Sequence, residues 1–305
     1  DDLEYARELE VWLKDFKFDV IAHSMGGLIA RYFLYYGAQE LGDDGPLPKF
    51  DWRGAQQVDK LILVGTPNLG SPEAFKNLTS GYKKKPLPFY NPAVVGSFPA
   101  AYQLLPQWDH GLFRDDQGAV EVDLFNVDTW KKNNWGIVNS DIENVKELRL
   151  LIPNRDAEVE PLKEAESYLS WCLRRAKRFH DALNETVPEM GSPPDTKTFL
   201  AIGRGQETWT DIYVEHKDGR LQPIWDEKRR TRQGDGTVPE RSALAGRNLP
   251  VVTVIGPLEA EHIALTWHPT FLEKLREILG VKASPSREEK IWEKVRKNWP
   301  SGWGR

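Results

Sequence analysis

Phe18-Asp19-Val20-Ile21-Ala22-His23-Ser24-Met25-Gly26-Gly27 is the stretch that decides how this chain folds. A short apolar run leads into a serine, and two glycines open a helical pattern directly after it. This is the layout of a nucleophile elbow, in which a strand doubles back into a helix and leaves a serine hydroxyl exposed above a sheet. Small residues at Ala22 and Gly26 are expected there, because a side chain would collide as the backbone reverses. Ala22 stands where the G-x-S-x-G pattern has its first glycine. The position between strand and helix distinguishes the motif from an ordinary turn and makes Ser24 the candidate nucleophile.

Outward from the elbow, the pattern alternates. Tyr5, Leu9, Trp12, Leu13 and Phe16 mark one face of a helix over residues 4–16. After Ser24, the residues Leu28, Ile29, Tyr32, Phe33 and Tyr36 recur at helical spacing, with Gly37 as a stop. A charged loop over residues 39–57 precedes Val58 to Gly65, whose apolar end reads as a strand buried on both faces. Strand and helix in alternation predict an α/β fold with a doubly wound, mostly parallel sheet.

The character changes over residues 79–196, which are rich in Pro, Gly, Asn and aromatics. This segment reads as a helical, aromatic-rich lid or cap inserted between two parts of one core, residues 1–78 and 197–305. Within it Ala165, Leu169, Cys172, Ala176, Phe179 and Leu183 form one helix face. That face suits a cap helix packed on the domain, or less well a coiled-coil partner. Core-like strands return at Thr198–Ile202 and Val251–Ile255, separated by a hairpin turning at Asp218-Gly219. Helices are expected over residues 269–279 and 286–298. Gly203-Arg204-Gly205 lacks the rest of a phosphate-loop fingerprint and reads as a turn.

Composition narrows the function. A net charge of −5 without a basic block argues against nucleic acid. The single cysteine, Cys172, excludes an intrachain disulfide and a cysteine-built zinc site, and leaves a cytoplasmic location favoured. No run approaches the roughly 18 apolar residues of a membrane span. No cofactor or metal is implied.

A serine hydroxyl needs a positioned base, and the base needs an orienting carboxylate. In α/β-hydrolases the order is Ser, acid, His, each on a loop leaving a strand. Gly234-Asp235-Gly236-Thr237-Val238-Pro239 supplies the acid, its glycines expected to let the carboxylate approach an imidazole. Asp211 and Asp156 are the fallback carboxylates. Glu261-His262-Ile263, a few residues past the last core strand, supplies the base, with His268 as competitor. His23 is expected to face away from Ser24 as a structural hydrogen-bonding residue, and His110, His180 and His216 to be incidental. Met25 offers its amide to an oxyanion.

Ala22 to Gly27, Gly65-Thr66-Pro67-Asn68-Leu69-Gly70-Ser71-Pro72-Glu73-Ala74, Ala101-Tyr102-Gln103-Leu104-Leu105-Pro106, Gly234 to Pro239 and His262 together resemble the lecithin–cholesterol acyltransferase family of α/β-hydrolases, particularly its bacterial lipase-like relatives. The resemblance runs from about residue 5 to 280 and is weakest over 110–196. It implies a Ser24–Asp235–His262 triad, a lid, and acyl-ester or lipid substrates with an apolar acyl group, with peripheral contact to lipid surfaces. Tyr102, Trp108 and Trp130 are the candidate substrate-binding residues, in an aromatic set that reads equally as acyl-binding lid or ordinary cap core.

The family also implies strands and a second oxyanion donor upstream of the elbow. Only 17 residues precede Phe18, so the sequence is expected to be N-terminally incomplete, with Phe18 to Ala22 a bare apolar edge. Hydrolysis and transacylation share one triad and are not separated here. The rival readings are a peptidase or thioesterase on the same triad, and a weakly catalytic scaffold that binds a partner.

Overall fold

The computed structural model describes residues 16–83, 88–108, 112–152, 160–184, 195–245, 249 and 252–281. The expected helix at 286–298 lies outside these residues, as does nearly all of the one at 4–16. The strands are β1 (Phe18–His23), β2 (Val58–Val64), β3 (Phe113–Asp115), β4 (Gly118–Val120), β5 (Lys197–Arg204), β6 (Ile212–Lys217), β7 (Arg220–Ile224) and β8 (Val252–Glu259). The helices used below are α1 (Met25–Tyr36), α2 (Pro72–Ser80), α3 (Pro161–Asn184) and α4 (Pro269–Leu279).

The main sheet runs β1-β2-β5-β8, every neighbouring pair parallel. Leu61, Ile62, Leu63 and Val64 of β2 are buried on both faces, which is why the end of the strand reads as an unbroken apolar run. One cluster, with Leu28, Leu34, Leu61, Leu63 and Leu200, packs α1 on one side. Another, with Ile62, Val64, Leu265 and Phe271, packs α4 on the other. The chain is therefore an α/β protein built on a mostly parallel sheet. Among the described residues β1 pairs only with β2, and its Phe18 and Ile21 are exposed.

Register decides where chemistry can gather. His23 is level with Val64, and Val64 with Ala201, so β1 and β2 end together while β5 runs on to Arg204. Residues leaving these ends, Ser24 and Gly65 among them, meet at the carboxyl rim where open α/β sheets build their sites.

The segment between β2 and β5 adds a third cluster, rich in aromatics, with Phe75, Tyr102, Phe113, Trp130, Trp135 and Leu169. Its small second sheet has the order β4-β3-β6-β7 and joins β3 and β4 to the hairpin that follows β5. That pairing has no local sequence signal. The face of α3 works as one stripe across two cores. Leu169, Cys172 and Ala176 belong to the aromatic cluster, while Phe179 and Leu183 belong to the sheet cluster. Fully burying each such Leu or Phe contributes roughly 1.5–3 kcal/mol.

His180 sits on this helix, 3% exposed, and its Nε2–H donates to the Gln103 carbonyl at 2.7 Å. Burial pushes its pKa down to about 4, only partly offset by that hydrogen bond. The unfolded chain takes up the proton below about pH 6.5, whereas the folded chain refuses it until about pH 4. Stability is therefore lost as pH falls through that window, by about 3 kcal/mol in all. Urea unfolding should show wild type losing about that much more than His180→Gln between pH 7 and pH 4. Parallel losses in the two proteins would refute it.

Candidate active site

Ser24 occupies the turn between β1 and α1 with φ 55° and ψ −131°, left-handed backbone in a non-glycine residue. Its amide donates to the Val64 carbonyl at 2.9 Å, and its own carbonyl accepts from Gly27 N–H at 3.0 Å. A residue held at positive φ by such neighbours stores on the order of 1–3 kcal/mol. The turn is as sharp as the sequence implied, but the glycine that it needs is a different one. A Cβ on Gly26 would meet nothing within 4 Å, so the expected collision there is absent. A Cβ on Gly27 would lie 1.9 Å from Thr66 Oγ1. Gly27 is what lets the first turn of α1 press against the loop leaving β2.

The structure brings Ser24, His262 and Asp235 together, although they are far apart in sequence. His262 Nε2 lies 2.8 Å from Ser24 Oγ, and His262 Nδ1 lies 2.8 Å from Asp235 Oδ2. A carboxylate accepts, so Nδ1 carries the proton and Nε2 turns a lone pair toward the serine hydroxyl. The other carboxylate oxygen, Oδ1, accepts from the Thr237 and Val238 amides at 3.0 and 2.7 Å. Asp235 is 2% exposed, so these three bonds replace the water that it loses. Its backbone carbonyl also accepts from the His262 amide at 2.8 Å.

The glycine nearest the acid–imidazole contact is Gly65, at φ +56°. A Cβ there would lie 3.1 Å from both Asp235 Oδ2 and His262 Nδ1. Gly234 and Gly236 were expected to open that approach. Gly234 instead lies against the Val238 carbonyl and Thr208, and Gly236, at φ +91°, shapes the acid's own loop. Gly65 belongs to the Gly-Thr-Pro-Asn-Leu-Gly-Ser stretch, which could be read only as a family signature in the sequence.

The remainder of that stretch fastens the pieces. Arg31 of α1, 1% exposed, donates to Asn68 Oδ1 at 3.0 Å and to the Leu183 carbonyl at 2.9 Å. Asn68 Nδ2 donates in turn to the Ala243 carbonyl at 2.8 Å. Ser71 caps α2 through the Glu73 amide and gives its hydroxyl to the Thr237 carbonyl, in the loop of Asp235. Ser242 Oγ donates to the Gly70 carbonyl. The serine's helix and the acid's loop are thus stitched to one intermediate segment. Hydrogen bonds to a charged group such as Arg31 are worth about 1.5–3 kcal/mol each.

The other candidates separate. Met25 provides the first helical amide after Ser24, a donor that α1 itself cannot satisfy. Tyr102 and Trp130 are both 0% exposed, and they bond the Gly96 and Leu124 carbonyls inside the aromatic cluster. Neither ring has surface left for a ligand, which corrects the expectation that they bind substrate. Trp108 is only partly buried, lies under Arg241 and edges a cavity of about 580 Å³ with Leu112, Val120 and Phe125. Asp211 is taken up by Arg114 and Arg241, while His268 starts α4 and His216 faces Asp115. Asp156 and His110 lie outside the described residues. Among those residues no group of three or more His, Cys, Asp or Glu side chains could hold a metal, and no helix is long and apolar enough to cross a membrane.

The sequence matches the family described as "Lecithin:cholesterol acyltransferase" over residues 6–248, a span holding Ser24 and Asp235 and ending short of His262. Comparison with curated proteins gives no match. A chain of the solved Tle4–Tli4 complex aligns at 15% identity with a TM-score of 0.55, a likeness of fold. The alignment covers 88% of this chain and 61% of that one, so this chain spans about three-fifths of its length.

Proposed function

The chain belongs to the lecithin:cholesterol acyltransferase family, and from that premise we propose a serine-dependent acyl-ester hydrolase or O-acyltransferase acting on lipid-like esters. The observation that carries the reading is the relay from Ser24 Oγ through His262 to a buried Asp235, each link 2.8 Å long. Ser24 attacks the ester carbonyl while its proton passes to His262 Nε2. Asp235 holds the imidazole in the tautomer able to accept that proton and stabilises the imidazolium that results. The Met25 amide donates to the oxyanion of the tetrahedral intermediate. His262 then returns the proton to the leaving alcohol, and an acyl group remains on Ser24. Water releases it as an acid, or an alcohol carries it off as a new ester.

Residues 79–196 act as the lid or cap in this reading, over a core formed by the segments on either side. An apolar groove of about 470 Å³, lined by Ala74, Tyr82, Val94, Val95, Phe98 and Leu104, has the chemistry to take an apolar chain, and none of the three triad residues lines it. The test is turnover of acyl esters of graded chain length, with and without an alcohol acceptor. The reading expects hydrolysis that favours long chains over acetyl esters, and new ester wherever transfer dominates. A protein that cleaves amides or thioesters but no oxygen ester would contradict it.

A further inference from the structure

We propose that His23 is a positioning residue for His262, tying the imidazole that serves Ser24 to the residue preceding Ser24 in the chain. The inference rests on the catalytic reading above and adds a residue to it.

The geometry is a closed ring of contacts. His23 Nε2 lies 3.0 Å from the His262 carbonyl oxygen. A carbonyl only accepts, so Nε2 carries the proton and His23 donates. The backbone of His262 is thereby pinned at both polar groups, its amide by the Asp235 carbonyl and its carbonyl by His23. The two imidazoles are also in contact, with centroids 4.7 Å apart and planes tilted by 40°. His262 is thus held against Ser24 by its Nε2 contact and by a second path through His23, which is bonded to Ser24. Sequence alternation sends the His23 side chain away from the serine hydroxyl, and it reaches His262 from behind instead.

Such a clamp matters because a misplacement of about 1 Å at reacting groups can cost on the order of a hundredfold in rate. Two groups bear on the charge of His23 in addition to its burial, His262 and Asp235. Burial is the largest influence and lowers the pKa of His23 below the usual 6.5, while the His262 carbonyl bond and Asp235 act in the opposite direction. A neutral His23 suits the role. A protonated one would stand beside the imidazolium formed during attack and oppose it.

His23→Phe keeps an aromatic ring and loses the donor, while His23→Gln keeps an N–H able to reach the same carbonyl. Each is compared with wild type in Ser24-dependent ester turnover, per active site counted by covalent titration. The proposal expects kcat to fall about a hundredfold in His23→Phe with KM within about twofold, and His23→Gln to recover most of it. Active wild type with His23→Phe at full kcat, or with both variants equally impaired, overturns the positioning role and leaves the triad standing. Should His23→Phe not fold, a His23→Gln variant that folds and loses about a hundredfold in kcat overturns it as well. Wild type without Ser24-dependent turnover overturns the catalytic reading, and this inference falls with it.

Discussion

Ser24→Ala is expected to lower kcat by about six orders of magnitude, close to what removing the whole relay would cost. In the proposed reaction the substitution takes away the atom that forms the acyl bond, and His262 and Asp235 have nothing left to activate. KM should change little, because the oxyanion amide remains. Stability should move in a separate direction. Ser24 holds φ 55°, so Ser24→Gly should raise stability by about 1 kcal/mol while it abolishes turnover. Chemical denaturation and steady-state kinetics on the same preparations test both halves. An alanine variant within a hundredfold of wild type would remove Ser24 from the chemistry.

The second large effect belongs to Asp235→Asn, expected at about 10⁴-fold in kcat with the fold retained. Local geometry determines how the amide must sit. Asp235 Oδ1 accepts two backbone N–H groups, from Thr237 and Val238. Asparagine keeps these bonds only by placing its carbonyl oxygen there, which turns its NH₂ toward His262 Nδ1. The imidazole must then accept at Nδ1 and carry its proton on Nε2, so it can no longer take one from Ser24. A variant within tenfold of wild type would mean that the carboxylate plays no orienting part.

Much of this architecture was legible in the sequence because its signals are local. The apolar end of β2, the Asp218-Gly219 hairpin turn and the helix face from Ala165 to Leu183 each announce an element within a single continuous segment. The meeting of Ser24, Asp235 and His262 was legible from their order along the chain, since the loops carrying them leave strand ends on one rim. What could not be read depends on approach between distant segments. Gly26 and Gly27 look alike in sequence, and only the packing of Thr66 against α1 shows which one is indispensable. Gly65 separates itself from the other glycines only when the acid and the imidazole stand beside it. Aromatic residues carry the same ambiguity, as Tyr102 and Trp130 have the composition of a ligand surface and the burial of a core. The pairing of β3 and β4 with the Asp218-Gly219 hairpin is invisible for the same reason, because strands of three residues carry almost no periodicity.

The most direct measurement is mass-spectrometric mapping of a fluorophosphonate adduct on the intact protein. The account predicts a single adduct on the peptide containing Ser24, absent from Ser24→Ala and slowed by orders of magnitude in His262→Ala. An unlabelled protein, or an adduct on another serine that persists in Ser24→Ala, would contradict it.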